Sequence, residues 1–159
     1  MRTAIYAGSF DPVTLGHYDI IVRASRLFDN LLVAVLENPN KCSLFTIEER
    51  KRHLELVTKD LVNVEVESFQ GLLADFAKDK DVTVLVRGLR NTVDFAAEHQ
   101  MYLINSKLGD RLETVFLGAG EEDFCISSTH VKEVAMFGGN IDFMVPKEIE
   151  PYIVEKYKK

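Results

Sequence analysis

Apolar residues run through this chain in two rhythms, and their alternation predicts the fold. Residues 3–7 are a short apolar run that stops at Gly8, and beyond Gly16 the positions Ile20, Ile21, Ala24 and Leu27 return at helical spacing. This predicts a strand, a loop and a helix over 16–27. Asp29 and Asn30 turn the chain into residues 31–36, a continuous apolar run typical of parallel strands covered by helices on both faces. Thr46 with Glu49 three residues later makes a capping box, so a helix begins near Ile47 and turns Leu54 and Val57 inward. Val62, Val64 and Val66 alternate with Asn63, Glu65 and Glu67, which gives a third strand with one face toward water or a place at an edge.

After Gly71 a short helix carries Leu72, Leu73, Phe76 and Ala77. Residues 82–86 form the next buried strand, ending at Arg87-Gly88-Leu89-Arg90-Asn91, and a long helix follows over 93–108. Residues 112–117 give a fifth strand, 118–125 a loop, and Ser127-Ser128-Thr129 opens a helix that stops at Gly138-Gly139. Pro146 and Pro151 each suit the first position of a final short helix. Five alternations of strand and helix imply an α/β fold, a doubly wound five-stranded parallel sheet with right-handed crossovers. The helix over 93–108 carries Phe95, Ala96, Ala97, Met101, Tyr102, Leu103, Ile104 and Leu108, more apolar surface than one sheet face requires. Two readings stay open: part of it faces another subunit, or the helix is deeply buried in one chain.

In an open parallel sheet, ligands bind at the carboxyl ends of the strands, beside helix N-termini whose free N–H groups attract phosphate. Four chemistry-bearing groups fall there: Ser9 with His17, Lys41, Arg87 with Arg90, and Ser127-Ser128-Thr129. Ser9, Gly16 and His17 would surround one anion. Taken singly, the glycines would only permit a tight loop, His17 would be an ordinary helix-start residue, and Lys41 would as readily be a solvated surface charge. The two arginines follow a buried apolar run, where a charge is costly unless an anion or a carboxylate meets it.

Whole strings say more than single residues. GSFDPVTLGH resembles the G-[ST]-F-D-P-x-T-x-G-H signature of the nucleotidyltransferase superfamily. VLVRGLRN resembles the R-G-L-R segment of the phosphopantetheine adenylyltransferases, and CISSTHVK resembles their I-S-S-[ST]-x-V-K. With N-P-N-K and F-T-x-E-E-R the likeness covers essentially the whole chain, and R-G-L-R is what separates this family from related adenylyltransferases. The resemblance implies a Rossmann-like nucleotidyltransferase fold in a single adenylyltransferase domain over 1–159. It implies direct attack of the phosphate of 4′-phosphopantetheine on the α-phosphorus of ATP, giving dephospho-coenzyme A and pyrophosphate without a covalent intermediate. A homohexamer is implied as well.

The resemblance also distributes roles. His17, Ser9, Lys41 and Arg90 would be catalytic, with His17 on the α-phosphate. Ser9, Phe10, His17, Gly88, Leu89, Arg90, Glu98 and the run Asp123, Phe124, Cys125, Ile126, Ser127, Ser128 and Thr129 would bind ATP. Ser9, Lys41, Leu73 and Arg87 would hold phosphopantetheine. Mg²⁺ would arrive with ATP, since no carboxylate cluster marks a protein-held metal site. An attacking phosphate that is already ionised needs no strong base, so positioning and charge neutralisation remain as the catalytic work.

Composition narrows the alternatives. A net charge of −6 argues against nonspecific nucleic-acid binding, so the partner is small. No apolar run is long enough to span a bilayer, and the start of the chain lacks the longer apolar stretch of a secretory signal, so a cytoplasmic location is expected. The two cysteines, Cys42 and Cys125, have no metal-site or disulfide spacing and read as small packing residues. Two rivals remain at this point: a related nucleotidyltransferase with another phosphate-bearing acceptor such as nicotinate mononucleotide or glycerol phosphate, and a noncatalytic nucleotide-binding sensor.

Overall fold

The computed structural model describes residues 2–37, 42–109, 111–120 and 126–158. The elements in order are β1 (Thr3–Gly8), α1 (Leu15–Leu27), β2 (Asn30–Glu37), α2 (Ile47–Thr58), β3 (Val64–Gln70), α3 (Leu73–Asp79), β4 (Val84–Leu89), α4 (Thr92–Leu108), β5 (Glu113–Gly118), α5 (Ser128–Met136) and α6 (Glu150–Tyr157). All strand pairings are parallel, and the spatial order is β3-β2-β1-β4-β5. The order reverses between β1 and β4, and a crevice at their carboxyl ends follows from that reversal.

The two central runs are buried on both sides because alternate residues feed two cores. Ala4 and Tyr6 of β1, with Leu31, Val33 and Val35 of β2, join Phe10, Ile21, Leu54, Val131 and Ile153 on one face. Ile5 and Ala7, with Leu32 and Ala34, join Phe69, Ala74, Ala77 and Leu112 on the other. Thus α1, α2, α5 and α6 cover the first face, and α3 with α4 the second. Helix starts follow local chemistry: Thr46 accepts from the Glu49 N–H at 3.2 Å while the Glu49 carboxylate accepts from the Thr46 N–H at 2.8 Å.

Several boundaries differ from the sequence pattern for identifiable reasons. The third strand starts at Val64, because Val62 and Asn63 lie in a turn closed by the Val64 N–H on the Leu61 carbonyl at 3.1 Å, and Val62 is fully exposed. The edge position expected for this strand is observed. Val82 precedes β4, its N–H closing α3 on Ala77, whereas β4 continues through Arg87 and Gly88 because they pair with Phe116 and Leu117 of β5. Pro151 lies in the first turn of α6, but Pro146 stands outside any helix. The deep-burial reading of α4 fails: Asn105 is its only buried residue, while Val93, Phe95, Met101, Leu103, Ile104 and Leu108 are exposed. Among the described residues, no helix is long and apolar enough to cross a membrane.

Candidate active site

The loop after β1 is shaped from within. Phe10 adopts a left-handed backbone conformation (φ 47°) and buries its ring, edge-on to Tyr6 at 5.4 Å and to His17 at 5.1 Å. A Cβ on Gly8 would lie 3.1 Å from the Phe10 ring, so glycine is what lets the ring fold back under the strand end. The Asp11–Pro12 peptide is cis. Thr14 then caps α1, accepting from the His17 N–H at 3.3 Å, while the His17 ring accepts from the Thr14 N–H through Nδ1 at 3.0 Å. This is a capping box in which histidine takes the place of the usual Glu or Gln. With Nδ1 accepting from a backbone N–H, the ring is neutral and its proton sits on Nε2. Burial, reinforced by the nearby charges of Arg90 and Arg87, pulls the His17 pKa down to about 4.

Arg87 of β4 and Arg90, the residue after the strand, meet carboxylates supplied by α4. Arg87 donates to Glu98 through Nε and Nη2, each at 2.6 Å, and to the Ala7 carbonyl through Nη1 at 2.7 Å. Burial works against the Arg87 charge, but the Glu98 pairing outweighs it and raises the pKa. Arg90 donates to Asp94 through Nε at 2.9 Å and Nη2 at 3.2 Å, and to the Ile126 carbonyl through Nη1 at 3.1 Å. Asp94 and Glu98 stand one turn apart on α4, so a single helix face neutralises both guanidinium groups.

A third pair lies across the crevice. Asp11 accepts from the N–H groups of Leu44 at 2.9 Å and Phe45 at 3.0 Å, and from Lys132 of α5 at 3.4 Å. Ser127 caps α5 on the His130 N–H at 3.1 Å, and Ser128 donates its hydroxyl to the Pro12 carbonyl at 2.8 Å. Both hydroxyls therefore have protein partners, and the N–H groups of Ser128 and Thr129, in the first turn of α5, are what the helix start offers an anion. On the α2 side Arg50, only 3 % exposed, donates through Nη1 to the carbonyls of Ser9 at 2.9 Å and Leu36 at 3.2 Å.

These groups enclose a cleft with two lobes. The larger, about 390 Å³, is lined by His17, Arg50, Arg87, Arg90, Lys132 and residues 126–129 among others. The smaller, about 210 Å³, is mostly apolar, with Phe69, Leu73, Met101 and Tyr102 in its wall. Ala7, Gly8, Ser9, Leu36, Arg87 and Glu98 line both, so the lobes join at the end of β1.

The structure thus brings together Ser9, Phe10, His17, Gly88, Arg90, Glu98, Ile126, Ser127, Ser128 and Thr129 in the larger lobe, with Arg87 shared and Leu73 in the smaller one. Phe10 turns its ring into the core and borders the lobe without offering a polar side-chain atom. Leu89 ends β4 and does not line either lobe. Lys41, Asp123, Phe124 and Cys125 lie outside the described residues. Sequence reasoning passed over Thr14, Asp11, Arg50, Asp94 and Lys132. A T-x-x-H spacing ahead of an apolar run signals the first of these, and Asp94, four residues after Arg90, signals an ion pair on one helix face.

A family described as cytidylyltransferase-like matches residues 5–134. The phosphopantetheine adenylyltransferase of Clostridium kluyveri is 54% identical over 159 residues, covering 100% of this chain and 97% of that protein. The enzyme of the same name from Caldanaerobacter subterraneus subsp. tengcongensis is 50% identical over 159 residues, covering 100% and 99%. Among solved structures, a putative nicotinate-nucleotide adenylyltransferase from Vibrio parahaemolyticus superposes with a TM-score of 0.74 at 16% identity, covering 100% of this chain and 98% of that one. The Plasmodium falciparum nicotinic acid mononucleotide adenylyltransferase complexed with NaAD gives 0.69 at 14% identity, covering 98% and 93%. At such identities the structural likeness speaks for the fold alone.

Proposed function

The chain belongs to the phosphopantetheine adenylyltransferase family, within the cytidylyltransferase-like group, and from that membership we infer that it transfers the adenylyl group of ATP to 4′-phosphopantetheine. The products are dephospho-coenzyme A and pyrophosphate. The observation that carries this reading for the site is the two-lobed cleft: a cation-rich lobe suited to a nucleotide triphosphate opens at Ser9 and Arg87 into an apolar lobe suited to a flexible thiol-bearing arm.

The reaction forms a bond between an acceptor phosphate oxygen and the α-phosphorus while the bond to pyrophosphate breaks. No protein nucleophile is needed, and the attacking oxygen is already ionised. The neutral His17 ring aims its Nε2 proton at the α-phosphate, where charge redistributes, and its depressed pKa keeps it a hydrogen-bond donor that stays uncharged at neutral pH. Arg90 and the first turn of α5 draw the departing pyrophosphate, and Arg87 with Ser9 receives the acceptor phosphate at the junction of the lobes. Lys41 completes the acceptor side in this reading, and Leu73 packs against the arm.

Mg²⁺ is assigned to the nucleotide. The three carboxylates lining the larger lobe, Asp11, Asp94 and Glu98, are each engaged by a cation, and among the described residues no cluster of three or more His, Cys, Asp or Glu side chains is placed to hold a metal. Its chemistry there is to screen the triphosphate charge. The exposed apolar residues of α4 support a homo-oligomer, which we assign as a hexamer from the family resemblance, and the chain is assigned to the cytoplasm with no nucleic-acid or membrane partner.

Pyrophosphate release measured with ATP and a panel of acceptors tests the reading. Turnover with 4′-phosphopantetheine, far above that with nicotinate mononucleotide or glycerol phosphate, is expected. Binding of ATP without turnover on any acceptor would instead identify a nucleotide sensor.

A further inference from the structure

The charges lining the larger lobe do not balance within the described residues. Four cations face three carboxylates: Arg87 is paired with Glu98, Arg90 with Asp94 and Lys132 with Asp11, which leaves Arg50 without a carboxylate. Arg50 is also the most deeply buried of the four, at 3 % exposure. A desolvated guanidinium usually stands opposite an anion, because carbonyl dipoles alone recover only part of its lost hydration.

What Arg50 does hold is informative. Nη1 spans the carbonyls of Ser9 and Leu36, and Nε makes a longer contact to Thr46 at 3.4 Å. Among the described residues Nη2 donates to no protein acceptor, yet it is not a sealed orphan: His53 Nδ1 is the only buried side-chain nitrogen or oxygen without a partner among them. Arg50 lines the larger lobe, so a group bound there is the available partner for its unused N–H groups. Ser9 and Leu36 border both lobes, so Arg50 is anchored at their junction, on the β2 side of β1. Arg87, fixed to the Ala7 carbonyl, occupies the β4 side.

We propose that Arg50 is a second guanidinium ligand for the phosphate of the acceptor, gripping it through Nη2 from the side opposite Arg87; this rests on the acceptor reading given above. The two arginines differ in what binding demands of them. Arg87 must share its charge with Glu98, whereas Arg50 meets the phosphate with no carboxylate to displace. A phosphomonoester at the junction would thus supply the anion that Arg50 lacks among the described residues.

The test compares two ligands that differ only in the phosphate. Dissociation constants for 4′-phosphopantetheine and for pantetheine are measured by calorimetry on the wild type and on Arg50→Met, with ATP binding as a control of folding. The expected result is that Arg50→Met weakens phosphopantetheine by about ten- to a hundredfold, the scale of a lost charged hydrogen bond, while pantetheine binding changes little. A bracket that merely holds backbone would weaken both ligands alike, and that outcome overturns the assignment. If Arg50→Met is too unstable to titrate, Arg50→Lys carries the comparison: it keeps the charge but lacks the fork, so the phosphate preference should fall several-fold, and an unchanged preference overturns the proposal. A wild type that does not distinguish the two ligands overturns the acceptor reading itself, and the Arg50 assignment with it. A wild-type preference that survives in Arg50→Met overturns the Arg50 assignment alone.

Discussion

Both oxygens of Glu98 are held by one guanidinium, that of Arg87, at 2.6 Å from Nε and from Nη2. The pair is partly buried and forms the wall between the two lobes of the cleft. Arg90 has its own carboxylate in Asp94 and reaches the Ile126 carbonyl beside α5. Arg87 thus lines both lobes and Arg90 the larger one alone, which suits them to different ligands. Arg87→Ala should weaken phosphopantetheine more than ATP, and Arg90→Ala the reverse, each by about 2 kcal/mol, roughly thirtyfold. Calorimetric titrations that give the same loss for both ligands in both variants would refute the split.

His17 is expected to act in the transition state. His17→Ala should lower kcat by about a hundredfold or more, the scale of one preorganised donor, while the Michaelis constants for both substrates move little. Steady-state kinetics on the folded variant decide this: an unchanged kcat with weakened ATP binding would leave the histidine a purely architectural role.

Acid should destabilise the fold through the same ring. The His17 pKa is about 4 in the folded chain and about 6.5 in an unfolded one, so its contribution is complete above pH 6.5 and is lost as pH falls toward 4. Because His17 lies along a cleft that water enters, we expect about 1 to 2 kcal/mol of this stability to disappear between pH 7 and 5. Burial lowers the pKa of His53 too, adding a loss of the same sign. Urea unfolding at both pH values checks the point: the loss should shrink in His17→Asn, and equal losses in variant and wild type would contradict it.

Asp11 joins three segments, and removing its charge should be felt in stability. Asp11→Asn cannot accept both loop N–H groups and pair with Lys132, so it should cost about 1 to 3 kcal/mol in urea unfolding. Lys132→Met, which breaks only the longer and more exposed contact, should cost less than 1 kcal/mol. The reverse ranking would show that the ion pair, and not the loop anchor, is the stronger tie.

The apolar side of α4 predicts assembly. Leu103 and Ile104 are each about half exposed, and a charge at Leu103 would be tolerated in a monomer but not in a packed interface. Leu103→Glu should yield a lighter species than the wild type in sedimentation equilibrium while keeping its helical circular dichroism. A wild type that sediments as an 18.0 kDa monomer would refute the assembly.

How much was legible in the sequence depended on the range of the interaction. The runs ending at Gly8 and Glu37 read as strands because burial on both faces leaves an uninterrupted apolar signature, and the box at Thr46 marks a helix start within three residues. Ser9, His17, Arg87 and Arg90 could be placed at strand ends from topology alone. Arg50 could not. In the sequence it is one of several charges on α2, and only the approach of Ser9, 41 residues away, and Leu36 reveals that it points inward. The start of the third strand at Val64 is set in the same way, since the Asn63 amide reaches back to the carbonyls of Ser25 and Phe28 and holds that stretch in a turn.

The hydrogen bond from the Thr14 N–H to His17 Nδ1 belongs to the first turn of α1 and, in the mechanism proposed above, to the reacting centre as well. A chain that has wound that turn has already chosen the tautomer. If His17 acts as proposed, each fraying of the turn is a moment of inactivity. Amide exchange at Thr14 and His17 should report the fraction of molecules that are chemically idle, and a substitution that loosens the turn should cut activity in proportion to the exchange it permits, without touching any substrate.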